Sequence, residues 1–459
     1  MSTTTDSMLY DVGAVARVQD DRLRATVERV AKRHPYYRAQ WRERGIDPAA
    51  VRGIADLPLL PLTSKADFAH APEQFRLEPT DDPADQLWDI AYTSGSTAKP
   101  TPIYQTAYDF HAILLAQRRM AEIRGMTSAD RIVNLYPLTP QPHGAWTRAN
   151  HAAAALGASV VCGLSGASSW FDVSRRLPEV AQLVVASDPT TLWGVPSYLR
   201  RVLDEVARQG GRLPNVRMLA VSGEPCTPEM SRQLVELTQQ LGAGEVVVSN
   251  SLGASELQCG LVECTPGGGF HNPAPELFHI DAVDDQGNPC PPGVAGRLTL
   301  THIDRRGTVL LRYLLGDVVT VDHGPCPSCG RVGGRVVAHH RREGDSVKIR
   351  GQLVDSRVLL RAVEQVDGVL EYRAVVRRSD PGDPLSTDEL VVAIAPTTER
   401  AGDPQGLVDA VRAAVKAACR VTPLVEITTA DEIFPAGERM KPRRFIDERS
   451  AAPVTKGAS

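Results

Sequence analysis

Hydrophobic and polar positions follow different periods in different parts of this chain. From Arg131 to Asn250, short apolar runs alternate with stretches in which apolar residues recur every three or four positions. The runs "RIVNLYPL", "ASVVCGL", "QLVVAS", "VRMLAVSG" and "GEVVVSN" predict strands, and "RANHAAAALG", "WFDVSRRLPEVA", "PSYLRRVLDEVARQG" and "TPEMSRQLVELTQQLG" predict helices. Such alternation predicts an α/β fold with a doubly wound, mainly parallel sheet, whose ligands bind beyond the carboxyl ends of the strands. Upstream, Asp20 to Gly45 reads as one amphipathic helix with Leu23, Val27 and Val30 on a common face and Gly45 as its stop. "PLLPLTSKADF" follows as a turn into a further helix.

The pattern changes after Gly296. "GRLTLTHI" and "GTVLLRYLLGDVVTVD" predict antiparallel strands and hence a β-rich subdomain. From about Asp345, helix "SRVLLRAVEQV", strands "EYRAVVRR" and "ELVVAIAP", helix "LVDAVRAAVKAAC" and strand "LVEIT" predict a small α+β domain. The expected division is a large domain at 1–343 and a small, mobile one at 344–459.

Composition narrows the function. With 459 residues, 42% hydrophobic and 23% charged, the chain has the make-up of a soluble globular enzyme. A net charge of −4 argues against nucleic acid as a partner. Runs of about 18 apolar residues are absent, so no membrane span is expected. "MSTTTDSMLYD" lacks a signal pattern, so the expected location is the cytoplasm, where eight scattered cysteines point to metal or catalytic use rather than disulfides. Only seven of the 51 basic residues are lysine, which draws attention to a lysine inside a motif.

One such motif is "YTSGSTAKP", beginning at Tyr92. Its hydroxyls and exposed N–H groups can wrap phosphate oxygens, and Gly95 allows close approach, although the spacing is not that of a Walker A loop. Read alone, it is equally a polar surface turn ended by Pro100. Four further stretches follow it: "SLGASE" at 251–256, "RYLLGD" at 312–317, "RREGDSVKIRG" at 341–351 and "GERMKPRRFID" at 437–447. In this order and at these separations they resemble the core motifs of the adenylate-forming superfamily. "HPYYR", "LPLTSKADF", "WGVPSYLRRVL", "VSGEPCTPEM" and a "CPSC" pair resemble its phenylacetate–CoA ligase-like, aryl-CoA ligase branch.

The resemblance implies an AMP-forming acid–thiol ligase that uses ATP, magnesium and coenzyme A. A carboxylate attacks the α-phosphate of ATP, pyrophosphate leaves, and a thiol then displaces AMP from the acyl-adenylate. It implies that Thr93, Ser94, Gly95, Ser96, Thr97 and Lys99 hold the β- and γ-phosphates. Gly253, Ala254 and Ser255 would border the nucleotide, and Glu256 would help to bind Mg²⁺. Asp317 and Arg342 would meet the ribose, and Lys441 would bridge the carboxylate and the α-phosphate. The C-terminal domain would turn about a hinge near Gly344 and Asp345, and similar enzymes are commonly homodimers. Singly, each residue has an ordinary alternative: a turn at Asp317, a cap at Glu256, a solvated face at Arg342, a surface lysine at Lys441. Three positions depart from the family pattern: Ala98 for glycine, Leu252 for tyrosine and Gly344 for aspartate.

Cys326 and Cys329 form a C-x-x-C knuckle suited to one structural zinc. "ECTPGGGFH" offers Cys264 and His271 as the other two ligands, as in some relatives, with Cys259, His279 and His323 as competitors. "YPLTPQPHGAW" offers Tyr136, His143 and Trp146 as walls for an aromatic carboxylic acid, although any one of them taken singly reads more readily as core. The acceptor is coenzyme A, with a carrier-protein phosphopantetheine or an amine as the alternative. A catalytically inert, zinc-containing binding protein is the reading from a different class.

Overall fold

The computed structural model describes residues 7–93, 100–138, 144–165, 174–343, 346–380, 383, 386–434 and 443–449. They divide into two compact units: 1–226 with 231–340, and 227–230 with 341–459.

The first unit opens with helices α1 (Val12–Arg33) and α2 (Pro35–Arg44), where one helix is expected. Pro35 explains the break. It lacks an N–H and fits the first position of a new helix, while the ring of His34 caps that helix by accepting from the Tyr37 amide. Gly45 ends α2 in a left-handed conformation at φ +64°. Leu23, Val27 and Val30 are buried, as their spacing predicts.

A short helix, α3 (Lys65–His70), and a hairpin, β1 (Leu87–Tyr92) and β2 (Pro102–Thr106), follow. Next come α4 (Ala107–Ile123), β3 (Arg131–Asn134), α5 (Gly144–Leu156), β4 (Ser159–Cys162), α6 (Leu177–Ala186), β5 (Thr191–Gly194), α7 (Pro196–Arg208), β6 (Met218–Val221), α8 (Pro228–Gln240) and β7 (Val247–Ala254). Strands β8 (Cys259–Glu263), β9 (Phe270–His271), β10 (Phe278–Val283), β11 (Gly296–His302), β12 (Tyr313–Asp322) and β13 (Arg335–Arg342) complete the set.

Strands β3 to β13 form one 11-stranded sheet in the order β10-β11-β12-β13-β9-β8-β7-β6-β5-β3-β4. The strands from β7 to β4 run parallel, and β7 pairs antiparallel with β8. The β-rich region is thus a hydrogen-bonded continuation of the parallel sheet.

One strand expectation fails. "QLVVAS" lies at the end of helix α6, and the strand is Thr191–Gly194 instead. Pro178 stands in the first turn, Glu179 accepts from the Arg176 amide at 2.9 Å, and Val180, Ala181 and Val184 supply a buried helical face. "WFDVSRRLPEVA" becomes helical only from Leu177, and its residues 170–173 lie outside the described ones.

One core joins the N-terminal helices to the antiparallel end of the sheet, with Val27, Tyr37, Phe75, Ile280, Leu300 and Tyr313 among its members. Truncating such a residue to alanine costs about 2–5 kcal/mol. The second unit has its own core, including Leu359, Val376, Val392 and Val411. It contains hairpin β14 (Ser346–Ile349) and β15 (Gln352–Asp355), a sheet of β16 (Val369–Arg378), β17 (Asp388–Pro396), β18 (Leu424–Ile427) and β19 (Phe445–Asp447), and helices α9 (Ser356–Glu364) and α10 (Pro404–Cys419). No described helix is long and apolar enough to cross a membrane.

Candidate active site

Aromatic residues lie near the ends of the parallel strands. Tyr136 lies two residues beyond β3, and its hydroxyl hydrogen-bonds that of Ser222, the residue after β6. Burial raises the Tyr136 phenol, with the Ser222 hydroxyl and the Arg124 charge opposing it. Trp193 of β5 is buried beside them. Trp146 stands in the first turn of α5, where its carbonyl accepts from Asn134 Nδ2 at 2.9 Å, and its indole Nε1 is buried without a hydrogen-bond partner among the described residues. His143, the third expected pocket residue, lies outside the described residues.

Sequence reasoning missed Arg124. Its guanidinium lies 4.8 Å from the centre of the Trp193 ring, and none of its three side-chain nitrogens has a hydrogen-bond partner among the described residues. Burial pushes it down to about 10, with Tyr136 and Glu263 pulling it back up. Such a buried cation can donate to an acceptor or anion brought against it. Nothing in the local pattern marks it, because it caps α4 within an ordinary "IRGM" stretch.

The nucleotide candidates lie on several elements. Thr93 extends the β1–β2 ladder at its loop end: its amide donates to Thr101 O and its hydroxyl accepts from the Thr101 amide, each at 3.0 Å. Ser94, Gly95, Ser96, Thr97, Ala98 and Lys99 lie outside the described residues, as do Gly344, Asp345 and Lys441. Gly253 and Ala254 end β7, and Ser255 leads into the turn at Glu256. Leu252 is half-buried against the core.

Glu256 is 7% exposed, accepts from the Tyr313 hydroxyl at 2.9 Å, and pairs with no cation among the described residues. Its carbonyl oxygen lies 3.1 Å from His302 Nε2. A buried carboxylate in this condition suits a divalent ion. Asp317, 8% exposed, lies 2.8 Å from Nε2 of His339, which fixes the carboxylate's direction. Tyr313 belongs to the "RYLLGD" stretch, but neither its contact nor that of His339 is visible in residue spacing. Arg342 is an exposed residue at the end of β13 and falls in the second unit, whereas Glu256 and Asp317 belong to the first.

The four expected zinc ligands come together. Cys264 follows β8, His271 ends β9, and Cys326 and Cys329 lie between β12 and β13. Their ligand atoms all fall within 4.8 Å of one another. The Cys264 and Cys326 sulfurs are 3.9 Å apart, and Cys329 Sγ lies 3.7 Å from His271 Nε2. Tetrahedral zinc with Zn–S bonds of ~2.3 Å requires an S···S distance of about 3.8 Å.

Gly269 makes the approach possible. A Cβ there would meet the Val336 carbonyl at 2.8 Å, and its φ is +85°. Burial, then Arg335 and Arg331, push His271 down to about 4, leaving the neutral imidazole that a metal needs. At Cys326 burial acts upward, but the Cys329 and Ser328 amides, the Cys329 side chain and Arg335 bring the thiol down to about 7. Burial, then Cys329 and Cys326, raise Cys264 to about 11. Among the competing ligands, Cys259 is absent from this group, and His279 and His323 belong to a separate cluster.

A mixed sheet with aromatic residues beyond its parallel strand ends, followed by buried carboxylates on its antiparallel side, has the layout of an adenylate-forming enzyme. Comparison with known proteins agrees. The family described as AMP-binding enzyme matches residues 14–304. The phenylacetate-coenzyme A ligase of Thermus thermophilus is 30% identical over 375 residues, covering 79% of this chain and 78% of that protein. The Escherichia coli protein of the same name is 25% identical, covering 74% of each chain. A crystal structure of 2-hydroxyisobutyryl-CoA ligase in the postadenylation state superposes with a TM-score of 0.77 over 95% of this chain and 89% of the other, at 21% identity, a likeness of fold. The chain belongs to the AMP-binding enzyme family. Within that adenylate-forming superfamily it is a phenylacetate–coenzyme A ligase-like, AMP-forming acid–thiol ligase.

Proposed function

We propose that this ligase activates an aromatic carboxylic acid and passes it to free coenzyme A. The observation that carries the aromatic reading is the placing of Tyr136 and Trp193 near the ends of the parallel strands, with Trp146 in the first turn of α5. The names of the Thermus and Escherichia relatives support it.

In the first step a carboxylate oxygen bonds to the α-phosphorus of ATP, and the bond to the bridging oxygen breaks to release pyrophosphate. In the second, the coenzyme A thiol gives up its proton, its sulfur bonds to the acyl carbon, and AMP departs with the electron pair of the acyl–oxygen bond. The chain's work is to hold charge and direct attack. Thr93, Ser94, Gly95, Ser96, Thr97 and Lys99 hold the β- and γ-phosphates, with Gly253, Ala254 and Ser255 along the nucleotide. Asp317 and Arg342 take the ribose hydroxyls, and Lys441 bridges the carboxylate and the α-phosphate. Glu256 would hold Mg²⁺, which when bound neutralises charge on the phosphate oxygens. Cys264, His271, Cys326 and Cys329 would hold one structural zinc, in keeping with their ligand distances.

The test is a screen of aromatic acids with ATP, with free coenzyme A present or omitted, read as pyrophosphate release and as thioester mass. Acid-dependent pyrophosphate release together with a coenzyme A thioester is expected. Adenylate without thioester would move the acceptor to a carrier-protein phosphopantetheine or an amine.

A further inference from the structure

A second cluster of metal-ligating side chains stands apart from the cysteine knuckle. His279 and Asp281 are two residues apart on β10, so they share a face, while Phe278, Ile280 and Ala282 on the opposite face join the core. His323 directly follows the last residue of β12. The His279 and His323 rings stack nearly parallel, with centroids 5.2 Å apart and planes 6° from each other. One ligand atom from each of His279, Asp281 and His323 lies within 4.8 Å of the others.

The ion pair within this group does not account for it. His323 Nε2 is 3.4 Å from Asp281 Oδ1, a long contact for a side chain that is 45% exposed. His279 is the telling member. It is 5% exposed, and neither of its ring nitrogens has a hydrogen-bond partner among the described residues. A neutral imidazole carries one N–H and one lone pair, so this environment leaves one buried donor and one buried acceptor unmet. A cation at that lone pair satisfies the acceptor nitrogen, and the Asp281 carboxylate supplies the matching charge.

We infer that His279, Asp281 and His323 bind a second divalent transition-metal ion of the zinc class, separate from the knuckle. Two imidazoles and one carboxylate suit zinc, cobalt or nickel and do not suit the oxygen-only shell preferred by magnesium. A metal lies near the plane of each imidazole that binds it, so one of the two stacked rings has to turn for both lone pairs to meet at one ion with bonds of ~2.0–2.2 Å. The exposed His323 side chain is the one with room to move. Three protein ligands leave an open position for water, so this ion exchanges more readily than one in a closed four-ligand site. Its mechanical effect is to tie β10, at the edge of the large sheet, to the end of β12, three residues before Cys326.

The experiment titrates metal-stripped full-length protein with Zn²⁺, and in parallel with Co²⁺. Wild type is expected to take up two equivalents. One Co²⁺ equivalent gives the intense thiolate charge-transfer band of the knuckle, and the other gives only weak ligand-field absorption. His323→Gln, at the exposed member, is expected to lose the second equivalent and keep the thiolate band; Asp281→Asn provides an independent check. Cys329→Ser is expected to do the reverse. If wild type binds no equivalent other than the thiolate one, or if His323→Gln and Asp281→Asn both retain every equivalent of wild type, the inference is overturned. Loss of the thiolate band alone would count against the knuckle zinc and leave this site standing.

Discussion

The two ends of the large sheet solve different problems with different residue chemistry. At the parallel end, Tyr136, Trp146 and Trp193 lie near strand termini, with the buried cation Arg124 over the Trp193 ring. At the antiparallel end, thiols, imidazoles and carboxylates gather in two compact clusters. Parallel strands finish together and leave a shared rim where a small molecule can be held. Antiparallel strands and the connections between them bring cysteines, histidines and a carboxylate distant in sequence within 4.8 Å of one another. On the proposed reading, the acid is held at the first end and the two metal clusters of the second serve to pin strands.

The largest effect should come from Lys441→Ala, which concerns chemistry alone. Acid-dependent adenylation should fall by about 10²–10³-fold or more, while thioester formation from a supplied acyl-adenylate persists. Measuring both half-reactions separates them, and equal loss of the two would contradict the role given to Lys441.

Cys329→Ser tests the other end. It should release about one equivalent of zinc and lower the melting temperature by several degrees, with kcat for adenylation nearly unchanged at temperatures where the variant is folded. Metal analysis, calorimetry and pyrophosphate release check these in turn. Loss of turnover in fully folded protein would erase the proposed division of labour.

Acid should strain the antiparallel end through His34, whose Nε2 lies 3.1 Å from the Val309 carbonyl. Burial pushes His34 down to about 4, with backbone carbonyls opposing the shift. The folded chain therefore keeps it neutral where the unfolded chain takes up a proton. Its contribution is present above pH 6.5 and is lost as pH falls from 6.5 to about 4, amounting to about 3 kcal/mol over that window. His302, lowered first by burial and then by Arg305, acts in the same direction. Urea midpoints at neutral and mildly acid pH measure the loss; midpoints that do not fall would show that these rings are not kept neutral.

Tyr136→Phe should have the smallest effect. It removes one hydroxyl contact with Ser222 and keeps the ring, so KM for the acid should change by less than about tenfold, with kcat largely preserved. Initial-rate kinetics across acid concentrations will show it.

What could be read in advance follows the same divide. The convergence of Cys264, His271, Cys326 and Cys329 was legible because C-x-x-C and the glycine stretch before His271 are local patterns with a geometric meaning. The cluster at His279, Asp281 and His323 was not, since it depends on strand alternation and on β10 and β12 lying near each other across β11. Arg124 was invisible for a similar reason, its significance arising only from the distant Trp193 and Tyr136. The parallel strands were legible from apolar runs, except where Pro178 and Glu179 turned "QLVVAS" into helix. Pro35 likewise divides what hydrophobic spacing alone presents as one helix.

The most direct measurement is acid-dependent exchange of labelled pyrophosphate into ATP, made across a panel of aromatic and short aliphatic acids without coenzyme A. The account predicts exchange with at least one aromatic acid, little with the aliphatic ones, and none in Lys441→Ala. Exchange confined to aliphatic acids, or persisting undiminished in Lys441→Ala, would contradict it.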